Sequence, residues 1–102
     1  MKISGRIIQV LPLQQGVSQT GAQWRKQTIV VSEDDPNIAF PNEMALDLFN
    51  DRIPVDKELA VGQHVDVHFG IRTREYNGRL YNDINVVRIN GINNSKNLNI
   101  WT

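Results

Sequence analysis

Short runs of alternating apolar and polar residues recur along this chain, separated by clusters of Gly, Pro, Asn and Asp. The clearest run places Val65, Val67, Phe69 and Ile71 at every second position, with polar residues or glycine between them. This two-residue period is typical of β-strands, and the 3.6-residue period of amphipathic helices is almost absent. The pattern therefore predicts an all-β barrel or sandwich.

The first of the predicted strands changes face part of the way along. Ile3, Gly5 and Ile7 share one side, whereas Ile8 and Val10 share the other. A β-bulge between the two sets explains the change, because one extra residue reverses the alternation. The five predicted strands cover about residues 3–13, 24–32, 44–49, 64–76 and 79–89.

The connections between these strands are rich in residues that interrupt regular structure. We expect a loop at residues 14–23, which contain two glycines. Pro54 limits any helix between the third and fourth strands to one or two turns over residues 55–60. Residues 1–90 are predicted to form one domain, and the Asn-rich residues 91–102 to form a flexible tail.

Asn77 and Gly78 are predicted to turn the chain between the fourth and fifth strands. Asn-Gly is the strongest short-range hairpin signal, because a type I′ turn needs positive φ at both central positions. A two-residue turn also fixes which residues face each other. The first three facing pairs below share one surface, and the last two share the other, which is expected to be core. These pairs are Tyr76 with Arg79, Arg74 with Tyr81, Arg72 with Asp83, Ile71 with Ile84, and Phe69 with Val86.

Length and composition narrow the class of protein. A chain of 102 residues with 40% apolar residues is long enough for one compact domain and too short for two. It has no apolar run long enough to span a membrane and no visible signal peptide, so we expect a cytoplasmic protein without a membrane partner. The absence of cysteine excludes disulfides, thiolate metal sites and cysteine nucleophiles.

The formal net charge is zero, but the charges are unevenly distributed. Residues 1–32 carry four basic residues and no acidic one, and residues 59–102 carry five basic and three acidic residues. Residues 33–58 carry eight acidic residues and two basic ones. The whole molecule therefore offers no general attraction to a polyanion, although a polarised surface is expected.

The arginines and tyrosines of the predicted hairpin form the most informative candidate site. Single-stranded nucleic acid is bound by cations that follow its phosphates and by aromatic rings that stack on unpaired bases. Two residues at the start of the second strand share one face and are candidates to extend this site. The candidate nucleic-acid-binding residues are Trp24, Lys26, Arg72, Arg74, Tyr76, Arg79 and Tyr81.

The same residues also have a purely structural interpretation. In a solvated hairpin, Arg and Tyr side chains cover each other through cation–π contacts, and Arg72 pairs with Asp83. Trp24 would then close one end of the barrel. Charged outer faces are common in antiparallel sheets, so composition alone does not separate the two interpretations.

A histidine pair supports a third hypothesis, a metal or small-molecule binder. His64 and His68 share a strand face with Asp66. On a strand the two histidines are about 13 Å apart, which is too far for one ion. The chain has no nucleotide-binding loop and no nucleophile motif. We therefore predict no enzyme activity, no metal and no cofactor.

Residues 62–76, which read GQHVDVHFGIRTREY, are followed by Gly78, Arg79 and Tyr81. This segment resembles the fourth strand and following turn of the bacterial single-stranded DNA-binding protein family, and the likeness extends over about residues 2–92. Residues 24–27 and 74–79 also resemble a family of small uncharacterised single-domain proteins. The shared features there are a Trp-x-Lys-Gln strand and an Arg-Glu-Tyr-Asn-Gly-Arg hairpin.

The first resemblance implies an OB-fold, which is a five-stranded Greek-key barrel, with at most one short helix between strands three and four. It implies binding of single-stranded DNA, or RNA, without strong sequence preference, and a homo-oligomer that is a dimer or tetramer. In this interpretation the three arginines neutralise phosphates and the two tyrosines stack on bases. Trp24 and Lys26 extend the groove.

The chain departs from that family at the start of its third strand. The family usually has a tryptophan and basic residues there, whereas this chain has Glu43, Met44 and Ala45, with Asp47 further along. These departures favour a second hypothesis, an OB-fold interaction module without nucleic-acid binding that uses its hairpin to oligomerise. An accessory protein of a phage or mobile element is one example.

Overall fold

Six β-strands form one antiparallel sheet in the computed structural model, which describes residues 1–54 and 58–93. A single 3₁₀ turn at Asn50–Arg52 is the one helical element of these residues. The prediction of an all-β fold is thus confirmed. The strands are β1 (Lys2–Val10), β2 (Gln14–Val17), β3 (Gln23–Glu33), β4 (Glu43–Phe49), β5 (His64–Tyr76) and β6 (Arg79–Asn93).

The long strand β3 organises one half of the sheet. Its first residues pair with β2, its last residues pair with β1, and β4 runs along its other edge. β1 then pairs with β5, and β5 pairs with β6. β4 and β6 are left at the two edges, where they approach each other without pairing. The sheet therefore has six strands rather than five and is not closed into a barrel.

The loop predicted at residues 14–23 is wrong, because these residues start with strand β2 and turn back into β3. Gly21 has a φ of 85° in this turn, and its N–H donates to the carbonyl of Ser18 over 2.9 Å. Gly16 faces Trp24 in the pairing, and its missing side chain leaves room for the indole ring. Strand β2 was not predicted because it is short and mostly exposed, and its residues do not alternate between apolar and polar.

The predicted change of face in β1 is confirmed. Ile3, Gly5 and Ile7 are buried, and the pairing with β3 shifts by one residue between Ile7 and Gln9. Ile8 is the bulged residue and is exposed. The start of β1, residues 2–6, pairs with β5, and residues 5–10 pair with β3, so the bulge lies in the part of β1 that pairs with β3 alone.

The core lies on the inner face of the curled sheet. Most of its members come from the alternate positions that the sequence pattern marked in β1, β3, β4 and β5, and Ile53 and Leu59 join them from the segment between β4 and β5. Each contributes roughly 1.5–3 kcal/mol by leaving water. The connector before β5 is tied to this core by Gln63, which is buried and donates to the carbonyl of Glu58 over 2.8 Å. The fully buried side chains are Ile7, Ile29, Val31, Leu46, Leu48, Val65 and Val67.

Strands β5 and β6 continue beyond the rest of the sheet as a two-stranded arm, which we define as residues 70–85. The last backbone bond from β5 to the N-terminal segment joins Phe69 to Met1 over 2.8 Å, and from there β5 pairs with β6 alone. The prediction that Ile71 belongs to the core is therefore wrong. Its side chain is 46% exposed, because no third strand among residues 1–54 and 58–93 covers this part of the ribbon.

Two predictions fall partly on residues that the structure does not describe. Of the helical turns expected over residues 55–60, residues 55–57 lie outside the described part, and residues 58–60 are not helical. Strand β6 continues to Asn93, and residues 94–102 of the expected tail lie outside the description. Within the described residues, no helix has the length and apolar character needed to cross a membrane.

Gly5 provides a test of the tight packing between β1 and β3. An added Cβ at this position would lie 2.0 Å from the carbonyl oxygen of Ser32, so backbone atoms would have to move. We predict that Gly5→Ala lowers the free energy of unfolding by about 1–3 kcal/mol, measured by urea denaturation. The matched control is Gly70→Ala, where an added Cβ meets nothing within 4 Å. Equal stability of the two variants would contradict this packing.

Candidate functional site

The turn between β5 and β6 has the geometry that its sequence predicts. Asn77 and Gly78 have φ values of 52° and 77°, and Tyr76 pairs with Arg79 across them. The five predicted facing pairs are all confirmed. Alternation along both strands then places five of the seven candidate residues on one face of the arm. We call these five the ladder: Arg72, Arg74, Tyr76, Arg79 and Tyr81.

Within the described residues, Arg74 is the arginine of the ladder that forms an ion pair, and its partner is Asp83. Its Nε donates to Oδ2 of Asp83 over 2.8 Å, its Nη2 donates to Oδ1 over 3.4 Å, and its guanidinium lies 5.0 Å from the ring centre of Tyr81. The expected pair of Arg72 with Asp83 is therefore wrong. Arg72 lies directly opposite Asp83, but the guanidinium that contacts the carboxylate belongs to Arg74, the diagonal neighbour of Asp83 across the two strands.

This ion pair shifts the pKa values of both of its side chains. The hydrogen bond from Arg74 lowers the pKa of Asp83, and the same bond raises the pKa of Arg74. Arg72 and Arg79 form no ion pair within the described part of the chain. The ladder thus offers two uncompensated guanidinium groups, one compensated guanidinium, and the ring of Tyr76, which is 61% exposed.

Trp24 and Lys26 lie elsewhere, at the start of β3. Both are half-buried, and the indole of Trp24 covers Gly16 of β2. Trp24 also lines an open cavity of about 280 Å³ together with Gln15 and Arg25. No hydrogen bond or ion pair of the described residues joins Trp24 or Lys26 to the ladder. The structure therefore brings five of the seven candidates together and leaves these two apart.

A groove lies between the end of β4 and the base of the arm. It has a volume of about 250 Å³ and is lined by Asp47 and Phe49 of β4, by the 3₁₀ turn, and by residues 84–86 of β6. Phe49, which pairs with Lys26 and is 49% exposed, is an aromatic residue of this groove that sequence analysis missed. Its position, one residue after the buried Leu48, could have identified it as outward-facing.

A second basic feature lies on the outer face of the sheet at the base of the arm. Lys2 of β1 faces His68 of β5, and His68 faces Arg88 of β6. We call these three residues the basal row. Burial and the positive charges of Arg88 and Lys2 lower the pKa of His68. The row was not predicted, because it depends on the register of three strands, of which only the β5–β6 pairing follows from the sequence.

The two histidines of the metal hypothesis occupy different surroundings. Nε2 of His64 lies 3.3 Å from Oδ2 of Asp34, and Nη2 of Arg6 lies 3.8 Å from the same oxygen. His68 belongs to the basal row. Across residues 1–54 and 58–93, no group of three or more His, Asp or Glu side chains is arranged to hold a metal ion.

Comparison with known proteins gives one match. Residues 2–90 match the model of a family described as "Domain of unknown function (DUF3127)". No curated protein and no solved structure shows significant similarity to the chain. The match agrees with the second resemblance, to a family of small uncharacterised domains.

The ion pair of the ladder predicts the acid titration of Asp83. Because the pKa of Asp83 is lowered below its ordinary value of 3.8, the pair is complete above that value and is lost as the pH falls through the lowered pKa. In carboxyl-detected NMR titrations, Arg74→Gln is expected to raise the midpoint of Asp83 towards 3.8. The control is Asp66, whose pKa is lowered mainly by a hydrogen bond with Ser4, so its midpoint should not change. An unchanged Asp83 midpoint would contradict the pair.

Proposed function

We propose that this chain, which belongs to the DUF3127 family of domains of unknown function, binds single-stranded nucleic acid without strong sequence preference. The observation that carries the proposal is the ladder, in which guanidinium groups and phenol rings share one exposed face of an arm that no other described strand covers. The sequence resemblance to the bacterial single-stranded DNA-binding family supports it.

The chemistry of the ladder suits an unpaired strand. Arg72 and Arg79 are available to neutralise phosphates, and Tyr76 is available to stack on a base. The spacing from Arg72 to Tyr76 is about 13 Å along β5, so successive groups can contact successive nucleotides. A duplex offers no exposed base faces, so the rings favour single-stranded ligands.

Arg74 and Tyr81 have a positioning role in this proposal. The carboxylate of Asp83 holds the guanidinium of Arg74 beside the ring of Tyr81, which keeps the ring facing the open side of the arm. Trp24 and Lys26 supply a second, smaller contact across the groove. Asp47, which departs from the related family, accepts a hydrogen bond from the hydroxyl of Thr28, and its charge still disfavours phosphate on β4.

The opposite face of the arm favours a second function, self-association. Leu80 is 70% exposed and Ile71 is 46% exposed on that face, where Glu75 is the one charged side chain. A two-stranded ribbon is only marginally stable in water without further packing. We propose that this face packs against the same face of a second copy, since an apolar surface with one charge is readily self-complementary. The ladder faces away from that contact.

The ladder predicts the response of nucleic-acid binding to substitution. Tyr76→Ala should weaken binding of fluorescein-labelled oligo-dT by about 1–3 kcal/mol, because a stacked base is lost. Arg79→Ala should lower the salt dependence of log Kd by about one unit, because one phosphate contact is lost. Glu75→Gln, on the opposite face of the arm, is the control and should bind as the wild type does. Wild-type protein that fails to bind at low salt would overturn the proposed function.

Self-association is tested separately by Leu80→Asp. A charge at this position cannot be buried between two arms, so the variant should sediment as a monomer under conditions where the wild type is a dimer or larger. Arg79→Ala, its neighbour on the ladder face, should leave the sedimentation coefficient unchanged. A wild-type monomer at high concentration, or an oligomer that withstands Leu80→Asp, would rule out this contact.

A further inference from the structure

Neither backbone conformation nor packing requires a glycine at position 70. Gly70 lies within strand β5, its φ is not positive, and a Cβ added there would meet nothing within 4 Å. The nearby bulge is on β6 at Val87, whereas Gly70 pairs in regular register with Asn85. A glycine inside a strand costs stability relative to alanine, and it often marks a place where a ligand or another backbone approaches closely.

The position of Gly70 connects the two basic features of the outer face. Along β5, the outward residues between the basal row and the ladder are His68, Gly70 and Arg72 in succession. Because Gly70 has no side chain, the outer face of β5 is open at this position. His68 of the basal row and Arg72 of the ladder lie on either side of it, each about 6.6 Å away along the strand. On β6 the residue that faces Gly70 is Asn85, which is exposed and uncharged.

We propose that a single strand of nucleic acid leaves the ladder, crosses the sheet over Gly70, and places its next phosphates on Lys2 and Arg88 of the basal row. This inference rests on the proposed function and adds the direction of the bound strand. The acidic group that acts on His68 is Asp66, which is outward-facing and hydrogen-bonded to Ser4. Lys2 and Arg88 thus supply two permanent charges beside one engaged carboxylate.

The alternative path, along the outer face of β3 and β4, is less favourable for a polyanion. That face carries Glu43 and Asp47 on β4, and the 3₁₀ turn after β4 adds Asp51. The facing cation of β3 is Lys26. Along this path a phosphate chain would meet acidic groups at two of the four outward positions of β4, whereas along β5 it would meet Arg72 on one side of Gly70 and the cations of the basal row on the other.

A matched pair of substitutions separates the two paths. Gly70→Leu fills the proposed crossing, and Ala45→Leu places the same side chain on the exposed outer face of β4. Binding of labelled oligo-dT, of lengths from about 4 to about 16 nucleotides, is measured for the full chain by fluorescence anisotropy. We expect Gly70→Leu to weaken binding of the longer oligomers at least about tenfold and Ala45→Leu to leave it unchanged. Thermal melting checks that both variants fold.

A second variant, Lys2→Gln with Arg88→Gln, tests the same path without adding bulk. It should lower the salt dependence of log Kd for long oligomers by about two units and leave short oligomers unaffected. Weaker binding by Ala45→Leu but not by Gly70→Leu would overturn the inferred path. So would unchanged binding by Gly70→Leu and the double variant while Tyr76→Ala weakens binding, and in that case the proposed function would stand. Wild-type protein that binds no oligomer would overturn both.

Discussion

The two-residue turn at Asn77 and Gly78 is the constraint on which the candidate site depends. Positive φ values at both positions allow β6 to return directly beside β5, and the side chains of the arm then alternate strictly between two faces. A one-residue slip of β6 would move Arg79 and Tyr81 to the other face and bring Leu80 onto the ladder face. The separation of a basic aromatic face from an apolar face is therefore a consequence of turn chemistry.

The arm has this exposed form because the rest of the sheet ends before it. β1 provides a neighbour for β5 only as far as Phe69, so no third strand of the described residues pairs with the ribbon beyond. Ile84, at the base of the arm, still packs against the core. Such a ribbon buries little apolar surface and is only marginally stable by itself, so contacts within the ladder contribute to its order. The ion pair of Arg74 with Asp83 is one such contact, and it explains why a candidate binding surface contains a carboxylate.

Local pattern predicted much of this structure, and contacts distant in sequence account for what it missed. The alternation in β5, the bulge at Ile8 and the register of the hairpin follow from spacing and turn type within a few residues. The exposure of Ile71 does not, because it depends on where β1 begins relative to β5. The basal row requires the register of three strands. Whether Arg72 or Arg74 pairs with Asp83 depends on how far each side chain extends across the ribbon, and the spacing of residues in the sequence does not determine this.

The central claim is that nucleic acid lies on the outer face of β5 and β6, and amide chemical shifts on titration with oligo-dT test it most directly. In ¹⁵N-labelled protein, we predict progressive shifts at the outward positions of the arm, at Gly70, and at Lys2 and Arg88. Amides of β4 should move little. Shifts confined to β3 and β4, or a spectrum that does not change on addition of oligo-dT, would contradict the account.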